Sequence, residues 1–500
     1  MNKKITAWVL AGSMLVTCTP PAVWAAPTLP AAAADDTTTE QPQATAGNCG
    51  AEGHEADVTW SFDAASGTLT ISGTGAMADY ERNKEPWYGL RDSLTKIVID
   101  KGVTSIGANA FSGLTQLQTV SLPDGLTAIG DYAFFTCTAL GEVTIPATVT
   151  DMGANPFREC SSLSAINLAD GSSFKKSGNA LLSADGTQLI SYPAASDGDS
   201  FSVPKGVTTI QDGAFGRAKF TSITIPDSVT SIGGYCFAGS SITAIDLPAS
   251  VTDLGTYLFS GCAALTEATI RGEITSIPSF TFYNCTALSS INITHMDQVT
   301  TIGQSAFDNT GLTEVTIPST VTTIYSRAFA NNAQLKKLVY ESNATPEASR
   351  TFENCPALEI VQFTSKDKLP ISSGMFANCP ALKVIDASAY TGNGSGVSQY
   401  VWADLSASPI LYSQNKLTGA VGTSAQVRYA VTNGAPLTID ADAVIDAESG
   451  ILATPTVADG KTFDGWYTAA DYSGSPATKV EAGQTAYAKY YATSGDVDTI

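Results

Sequence analysis

Positive charge is scarce in this 500-residue sequence. Lys and Arg number 26 against 47 Asp and Glu, and the formal net charge at pH 7 is −21. Proteins bind nucleic acids and anionic lipid surfaces mainly through clustered Lys and Arg, and the sequence has no such cluster. The composition therefore argues against nucleic acid and anionic membranes as partners.

Histidine is almost absent, with His54 and His295 as the two examples. Neither lies beside a Ser or Cys nucleophile in a recognisable motif, and G-x-S-x-G, H-E-x-x-H and a phosphate-binding Gly loop are missing. C-x-x-C pairs with zinc-ligand spacing are missing too. Carboxylates are plentiful but scattered, so they indicate no particular acid pair for glycoside hydrolysis. We predict no enzymatic activity, no catalytic residue, no metal and no cofactor.

Long apolar runs are also missing, apart from one near the N-terminus. Lys3 and Lys4 precede an apolar run of about thirteen residues, which is shorter than the roughly 20 needed to cross a bilayer. The small residues of AVWAAP then suit a cleavage site. We predict a signal peptide over residues 1–25, a secreted or cell-surface location and no transmembrane anchor in the mature chain. A lipid anchor at Cys18 is not favoured, because Thr17 is bulkier than the residue usual there.

Two segments precede the main part of the chain. Residues 26–47 are rich in Pro, Ala and Thr without periodicity, which predicts a disordered linker. Residues 48–93 contain two alternating apolar runs around a Ser-Gly turn, which predicts a β-hairpin. Its buried face would carry Trp60, Phe62, Leu69 and Ile71. Such a hairpin would form an N-terminal β cap on a stack of repeats.

A repeat dominates the rest of the sequence. EVTIPATVTDMGANPF, SITIPDSVTSIGGYCF and EVTIPSTVTTIYSRAF share the positions of their apolar residues, Pro and Phe. Eleven Phe residues mark the units at intervals of 22 to 25 residues, with one break: Phe111, Phe134, Phe157, Phe215, Phe237, Phe259, Phe282, Phe307, Phe329, Phe352 and Phe376.

The general unit is L-x-x-V-x-I-P-x-x-V-x-x-I-x-x-x-A-F-x-x-C. Its V-x-I segment alternates like a half-buried strand, and the Pro that follows ends that strand. V-T-x-I fits a second short strand, and A-F-x-x-C fits a turn. One coil cannot bury its own apolar side chains, but stacked coils can. We predict a mainly β solenoid over residues 94–390, with a variant repeat near 170–204 that contains a hairpin about Asp185 and Gly186.

Six cysteines share one position of the unit, three residues after the Phe: Cys137, Cys160, Cys262, Cys285, Cys355 and Cys379. Equivalent residues of stacked coils lie about 4.8 Å apart with parallel side chains, whereas a disulfide needs converging Cβ atoms about 3.8 Å apart. We therefore predict a ladder of buried thiols rather than disulfides. Ser240, Thr310 and Asn332 take the same position in other units. Cys236 is expected in the core or a loop, and Cys49 has no predicted role.

The outward positions of the V-x-I strands form the candidate binding face. These positions are small, polar and slightly acidic: Glu142, Thr144, Asn167, Thr224, Asp246, Glu267, Thr269, Asn292, Glu314 and Thr316. A plain solvated sheet is the competing interpretation. Near the C-terminal end the outward positions become apolar, with Val339, Ile360 and Val384. We interpret this strip as the seat of a C-terminal β region that covers the last coil.

The units from about Leu94 to Tyr390 resemble the leucine-rich repeats of BspA-like bacterial surface proteins. GTLTISGTGAMADY and PWYGLRDSLTKIVID resemble the N-terminal module that commonly precedes those repeats. The resemblance implies a right-handed parallel solenoid displayed outside the cell and associated with adhesion to host proteins or other cells.

Residues 391–490 are expected to form an all-β region of one or two modules, followed by a tail over 491–500. Within it, KTFDGWYTAADYSGSPATKVEAGQTAYAKYY resembles the Listeria–Bacteroides, or internalin B-type, repeat near residues 425–490. The matching residues are Phe463, Gly465, Trp466, Tyr467 and the Tyr-Ala-Lys run that ends at Lys489.

These observations predict a monomeric, non-enzymatic adhesion protein. It would bind a protein or cell-surface ligand of unknown identity through the outward side of the solenoid. A structural spacer that presents the C-terminal module is the alternative from another class, and an exported enzyme is the least favoured one.

Overall fold

The computed structural model describes residues 44–347, 350–395, 397–437, 439, 441–457 and 461–492. The predicted signal peptide, most of the predicted linker and most of the predicted tail lie outside these residues.

The N-terminal part contains four strands: β1 Ala46–Asn48, β2 Val58–Asp63, β3 Thr68–Gly73 and β4 Gly75–Ala76. β2 and β3 form the predicted antiparallel hairpin, with Trp60 opposite Ile71. Trp60, Leu69 and Ile71 are buried, and Phe62 is half-buried. β1 pairs with β2 and begins at Ala46, so ordered structure starts inside the segment predicted as linker. A 3₁₀ helix, Tyr88–Leu90, follows the hairpin.

The repeat region alternates longer and shorter strands: β5 Lys96–Ile99, β6 Val103–Ile106, β7 Thr119–Ser121, β8 Ala128–Ile129, β9 Glu142–Ile145, β10 Asp151–Met152, β11 Ala165–Leu168, β12 Lys175–Ser177, β13 Ala180–Leu182, β14 Gln188–Ser191, β15 Ser200–Ser202, β16 Thr209–Ile210, β17 Ser222–Thr224, β18 Ser231–Ile232, β19 Ala244–Leu247, β20 Glu267–Ile270, β21 Ser276–Ile277, β22 Ser290–Ile293, β23 Thr301–Ile302, β24 Glu314–Ile317, β25 Thr323–Ile324, β26 Lys337–Tyr340, β27 Ile360–Phe363 and β28 Val384–Ala387. Another 3₁₀ helix, Met296–Gln298, follows β22.

Each unit forms one coil, and most coils pair with the equivalent segments of their neighbours. The V-x-I strands pair in parallel, as in β19–β20–β22 and β24–β26–β27–β28. The short strands form a second parallel series on another side of the coils, as in β21–β23–β25. The structure therefore confirms a mainly β solenoid of stacked coils.

A column of aromatic rings runs through the core at the Phe position. Between Phe215 and Phe352, successive ring centroids are 5.0 to 5.5 Å apart and the rings are close to parallel. The N-terminal section of the column starts with Trp87, whose ring stacks on Phe111. All eleven predicted Phe anchors are buried. Because the same residue recurs at the same place in each coil, one packing solution serves the entire stack.

The variant repeat interrupts this column between Phe157 and Phe215. Its strands β12, β13 and β14 form an antiparallel meander, and β13 and β14 are the predicted hairpin around Asp185 and Gly186. β14 then pairs in parallel with β16, which restores the solenoid. Leu181 and Ile190 pack in the N-terminal core, whereas Leu182 and Leu189 pack in the core of the following coils. β13 and β14 are therefore buried on both faces between two sections of core, whereas β12 lies at the exposed edge of the meander.

The six cysteines of the repeat are free and buried, as predicted. Each thiol lies 3.0 to 3.5 Å from the carbonyl oxygen of the Phe of the preceding coil and donates a hydrogen bond to it. In the coil where Asn332 takes this position, its amide donates to the carbonyls of Phe307 and Phe329. In these seven coils the position therefore supplies a small donor for a Phe carbonyl, whereas Ser240 contacts the Cys262 thiol and the Thr310 hydroxyl donates to Asn332. Cys236 is buried in the core, and Cys49 is buried among the N-terminal strands.

This burial predicts that the native thiols are unreactive. Desolvation raises the pKa of Cys160 to about 12 and that of Cys262 to about 11, and the thiolate is the reactive form. At about pH 8 we expect the seven described cysteines other than Cys379 to react with 5,5′-dithiobis(2-nitrobenzoic acid) at least about a thousandfold more slowly than a free thiol. A hydrogen bond with Cys355 lowers the pKa of Cys379, so the protection of that thiol rests on its complete burial. Denaturation in guanidinium should release them all. Rapid labelling of two or more thiols in the native chain would contradict the ladder.

The C-terminal region extends the same sheet. It contains β29 Ile410–Ser413, a 3₁₀ helix Gly419–Gly422, β30 Arg428–Val431, helix α1 Ala441–Glu448, β31 Lys461–Tyr467 and β32 Thr485–Ala492. β28, β29, β30 and β32 pair in parallel, and β31 pairs antiparallel with β32 at the end of the sheet. Parallel pairing therefore continues past residue 390, which corrects the predicted end of the repeat sheet. Residues 391–490, predicted to be all-β, contain a short α-helix, α1, beside their strands.

A second core covers the outward side of this last section. Val384, Ile410 and Tyr412 point into it from the strands, and Val444 of α1 and Trp466 of β31 pack on them. The alternate residues of β28 and β29, such as Ile385 and Leu411, point into the solenoid core. Of the predicted apolar strip, Val384 is buried in this second core and Ile360 packs against it, so both serve as the seat of the C-terminal region.

Candidate functional site

The sheet face is defined here as the outward residues of β9, β11, β17, β19, β20, β22 and β24. Strand alternation produces it directly, because Val and Ile point into the core and the residues between them point away. In β9 and β24 the pattern is strict: Glu142, Thr144, Glu314 and Thr316 are exposed, and the intervening residues are buried. The structure thus places the predicted residues on the outward side of their strands.

Parallel register brings some of these residues side by side. Asp246, Thr269 and Asn292 are aligned across β19, β20 and β22. Thr144 is aligned with Asn167 across β9 and β11. The register also places Ala244 and Ser290 on either side of Glu267.

The sheet face is not continuous, which the sequence did not reveal. The meander separates β11 from β17, so Asn167 and Thr224 belong to different sheets. β17 is also unpaired with β19, and β22 is unpaired with β24. The predicted ten residues therefore form four groups, of which the group on β19, β20 and β22 is the largest.

The sheet face is acidic, and one of its charges is neutralised. Arg271 forms two hydrogen bonds of 2.7 Å with the carboxylate of Asp246. Asn167 lies 3.4 Å from the carboxylate of Glu142. Among the described residues, Glu267 and Glu314 have no ion-pair partner within 4.0 Å. These two carboxylates are therefore available to a basic partner.

Arg271 was missed by the sequence reasoning. It directly follows the V-x-I strand, at the position where most units have Pro. That replacement was visible in the alignment of the units and is the signal that could have identified it. Its guanidinium reaches back one coil to Asp246, so the side chain belongs to the sheet face.

No catalytic constellation forms around either histidine within the described residues. His54 Nδ1 lies 2.8 Å from Asp57 Oδ2, and both side chains are exposed. Cys49 is near them in sequence, but its thiol is buried and desolvation raises its pKa to about 12. His295 immediately precedes the 3₁₀ helix at Met296 and forms no ion pair with a described residue. Cys49, His54 and Asp57 therefore do not form a nucleophile with an adjacent base.

The described part of the chain contains no cluster of three or more His, Cys, Asp or Glu residues that could hold a metal ion. Over the same residues, no helix has the length and apolar content needed to cross a membrane.

Stacked β coils with a repeating Leu, Ile and Phe core define a leucine-rich repeat protein. The family described as BspA type leucine rich repeat region (6 copies) matches residues 87–194, 194–297 and 276–391, which together span more than half of the chain. The chain belongs to this family. The match ends at residue 391, so it does not include the segment that resembles the internalin B-type repeat.

Several solved structures are similar to this chain. A leucine-rich repeat protein from Eubacterium ventriosum is 22% identical, with 71% of this chain and 98% of that chain covered and a TM-score of 0.39. A leucine rich cell surface protein from Faecalibacterium prausnitzii is 23% identical, with 62% and 93% covered and a TM-score of 0.38. A leucine-rich repeat protein from Bacteroides ovatus is 20% identical, with 61% and 93% covered and a TM-score of 0.35. No curated protein matches the chain.

Proposed function

We propose that this chain is a secreted or cell-surface adhesion protein that binds a protein or cell-surface ligand through its sheet face. The observation that carries the proposal is the alternation of the sheet-face strands. Their inward residues are committed to the core, whereas their outward residues are exposed, polar and aligned across neighbouring coils. A row of aligned polar side chains on a rigid sheet offers many hydrogen-bonding positions in a fixed arrangement.

The charge distribution favours a basic ligand surface. Glu267 and Glu314 form no ion pair among the described residues, and the complete chain has a net charge of −21. Complementary charges mainly increase the rate of association and the selectivity of an interface. The proposed binding should therefore weaken as ionic strength rises.

The location and the C-terminal module belong to the same proposal. The apolar run at the N-terminus supports export, and membership of the BspA-type family supports an interaction role. The C-terminal segment with Phe463, Gly465 and Trp466 supports an internalin B-type module, with Trp466 buried in the C-terminal core. The chain would act as a monomer without a cofactor.

A binding screen tests the proposal. The chain from Ala26 to Ile500 is assayed against host extracellular-matrix proteins and whole cells, beside a variant with Thr144, Thr224, Thr269 and Thr316 changed to Lys. We expect native binding and a loss of at least about tenfold in affinity for the variant, because four long cations disrupt the sheet face without entering the core.

A matched control variant changes Thr127, Thr208, Thr230 and Thr322 to Lys. These residues are also exposed threonines, but they immediately precede or flank the short strands β8, β16, β18 and β25. The control adds the same charge and should retain native affinity. Equal loss in both variants would show a general charge effect, and equal binding by all three proteins would move the activity to the C-terminal region. Both results contradict the proposal, as does the absence of binding by the native chain.

A further inference from the structure

The sheet face contains one opening, between β22 and β24. Both strands are paired on their far sides, β22 with β20 and β24 with β26. Within the described residues, no backbone hydrogen bond joins residues 289–293 to residues 313–317. Outside the meander, the other neighbouring sheet strands that lack ladder pairing are still joined by a backbone hydrogen bond between their coils. An example is the bond from Thr243 N to Thr221 O, between the coils of β17 and β19.

The same coils are closed on their other sides. The short strand β23 pairs with both β21 and β25. Phe307 stacks on Phe282 and Phe329 with ring centroids 5.5 and 5.0 Å away. The amide of Phe307 also donates to the carbonyl of Ala328 in the next coil. The stack is therefore intact, and the separation is confined to the sheet face.

Apolar side chains line the interior of the opening, and exposed polar residues such as Asn292 and Thr316 also border it. The opening has a volume of about 470 Å³, and Ile291, Met296 and Val315 are among its apolar lining residues. Ile291 and Ile293 are half-buried, whereas the equivalent Ala268 and Ile270 of the preceding coil are completely buried. The volume falls within the range of about 300–1,000 Å³ that is typical of ligand sites.

The walls of the opening also carry unpaired backbone groups. Successive residues of a strand direct their N–H and C=O groups to opposite neighbours. The carbonyls of Thr313 and Ile317 accept hydrogen bonds from amides of the following coil. The alternate residues Glu314 and Thr316 therefore direct their N–H and C=O groups the other way, towards β22. The amides of Ser290 and Thr294 donate to carbonyls of the preceding coil. The alternate residues Ile291 and Ile293 therefore direct their N–H and C=O groups towards β24. Two strand edges whose donors and acceptors have no backbone partner among the described residues therefore face each other across the opening.

Insertion in one unit accounts for the opening. Phe282 and Phe307 are separated by 25 residues, whereas Phe307 and Phe329 are separated by 22. After β22, the chain has Thr294 and His295 and then the 3₁₀ helix Met296–Gln298, in place of the usual Pro turn. The longer connection from β22 to β23 still lets β23 pair with β21 in the usual register. It leaves β22 and β24 unpaired.

We propose that this opening binds an extended peptide segment of a partner protein as an added β-strand. Strand addition satisfies free edge groups through the backbone and selects side chains through the pockets between them. Residues of the peptide that point inward would be apolar and contact Ile291 and Val315. Residues that point outward would be basic, because Glu314 is the one charged residue that lines the opening in the described part of the chain. This inference rests on the proposed sheet-face function and assigns it a ligand class.

The test uses the complete chain and the peptide Arg-Val-Arg-Val-Arg-amide, labelled with carboxyfluorescein at its N-terminus. We expect saturable binding in a fluorescence anisotropy titration and loss of at least about tenfold in affinity when the Val amides are N-methylated. Hydrogen–deuterium exchange of residues 289–293 and 313–317 should slow when the unmethylated peptide binds. N-methylation changes the ligand alone, so this comparison does not depend on the folding of a variant.

Three substitutions locate the site. Ile291→Lys places a cation in the opening and should lower affinity at least about tenfold. Ile223→Lys is the matched control, because Ile223 is also a half-buried inward residue of a sheet-face strand but lies on β17. It should leave affinity for the peptide unchanged, as should Thr322→Lys, which lies beside the short strand β25 and outside the sheet face.

Each result is decisive for the opening. Equal binding of both peptides, unchanged exchange at the two strands, or full binding by Ile291→Lys would overturn it. Equal loss of peptide binding in Ile223→Lys or Thr322→Lys would also overturn the opening, because neither residue lines it. Absence of peptide binding would also overturn the opening, and the separate screen of matrix proteins and cells would then decide the sheet-face function independently.

Discussion

Phe259→Ala should lower the free energy of unfolding by about 3–5 kcal/mol, which is the usual cost of truncating a fully buried Phe. Phe259 has no exposed surface. Its ring lies between those of Phe237 and Phe282, at centroid distances of 5.4 and 5.3 Å. The substitution removes contacts with two neighbouring coils at once and leaves a cavity inside the column. Urea unfolding followed by circular dichroism would measure the loss.

Phe280→Ala is the matched control for this change. Phe280 is also an aromatic residue stacked on its neighbour in the preceding coil, with its ring 4.4 Å from that of Tyr257, but it is half-buried at the edge of the stack. Its truncation should cost about 1 kcal/mol, because less surface leaves water on folding. Equal losses for the two substitutions would contradict the central role of the buried column.

Asn332→Leu should lower the free energy of unfolding by about 4 kcal/mol, because several buried polar groups would lose their partners. The side-chain amide of Asn332 donates to the carbonyls of Phe307 and Phe329 at 3.0 and 2.7 Å. Its oxygen accepts from the backbone amide and the hydroxyl of Thr310 at 2.8 and 2.7 Å. Leu has the same number and branching of side-chain heavy atoms as Asn but can satisfy none of these groups. The same urea unfolding experiment measures the effect.

Asn332→Cys distinguishes the contribution of the hydrogen bond to stability from that of side-chain packing. Cys occupies the equivalent position in six other coils and donates there to the carbonyl of the preceding Phe. It should therefore recover about half of the stability lost in Asn332→Leu. If the Leu and Cys variants are equally unstable, or if Leu is tolerated, the carbonyl-capping role assigned to this position is wrong.

The regular part of the fold was predictable because the same residue pattern recurs from one unit to the next. Phe259 and Cys262 recur with their neighbours at a constant spacing, so each coil predicts the environment of the next. The free state of the six described repeat cysteines followed from the distance between equivalent Cβ atoms of stacked strands. Trp87 was not identified as the first ring of the column, because the repeat was counted by Phe alone and the ring at that position is an indole.

The C-terminal region was harder to predict because it lacks strand alternation. All four residues of β28, from Val384 to Ala387, are buried, since one side faces the solenoid core and the other faces α1 and β31. A strand buried on both sides gives no periodic signal. The helix Ala441–Glu448 could not be inferred from the preceding repeats, because it occurs in none of them.

Pairing between coils also depends on the lengths of their connections. The outward position of Asn292 and Thr316 could be read from alternation, but the separation of their strands could not. That separation depends on how the three additional residues between Phe282 and Phe307 are accommodated on the return path. Residue type therefore predicted the sheet face, whereas the path of the chain determined where that face is open.

Site-specific photo-cross-linking tests the sheet-face interaction most directly. A photoreactive phenylalanine derivative is placed singly at Thr144 or Thr269 on the sheet face, and at Thr208 or Thr230 beside the short strands. Each protein is irradiated in complex with the strongest ligand from the binding screen. The account predicts covalent capture of the ligand from the sheet-face positions and at most background capture from the other two. Capture confined to Thr208 and Thr230, or to neither pair, would contradict it.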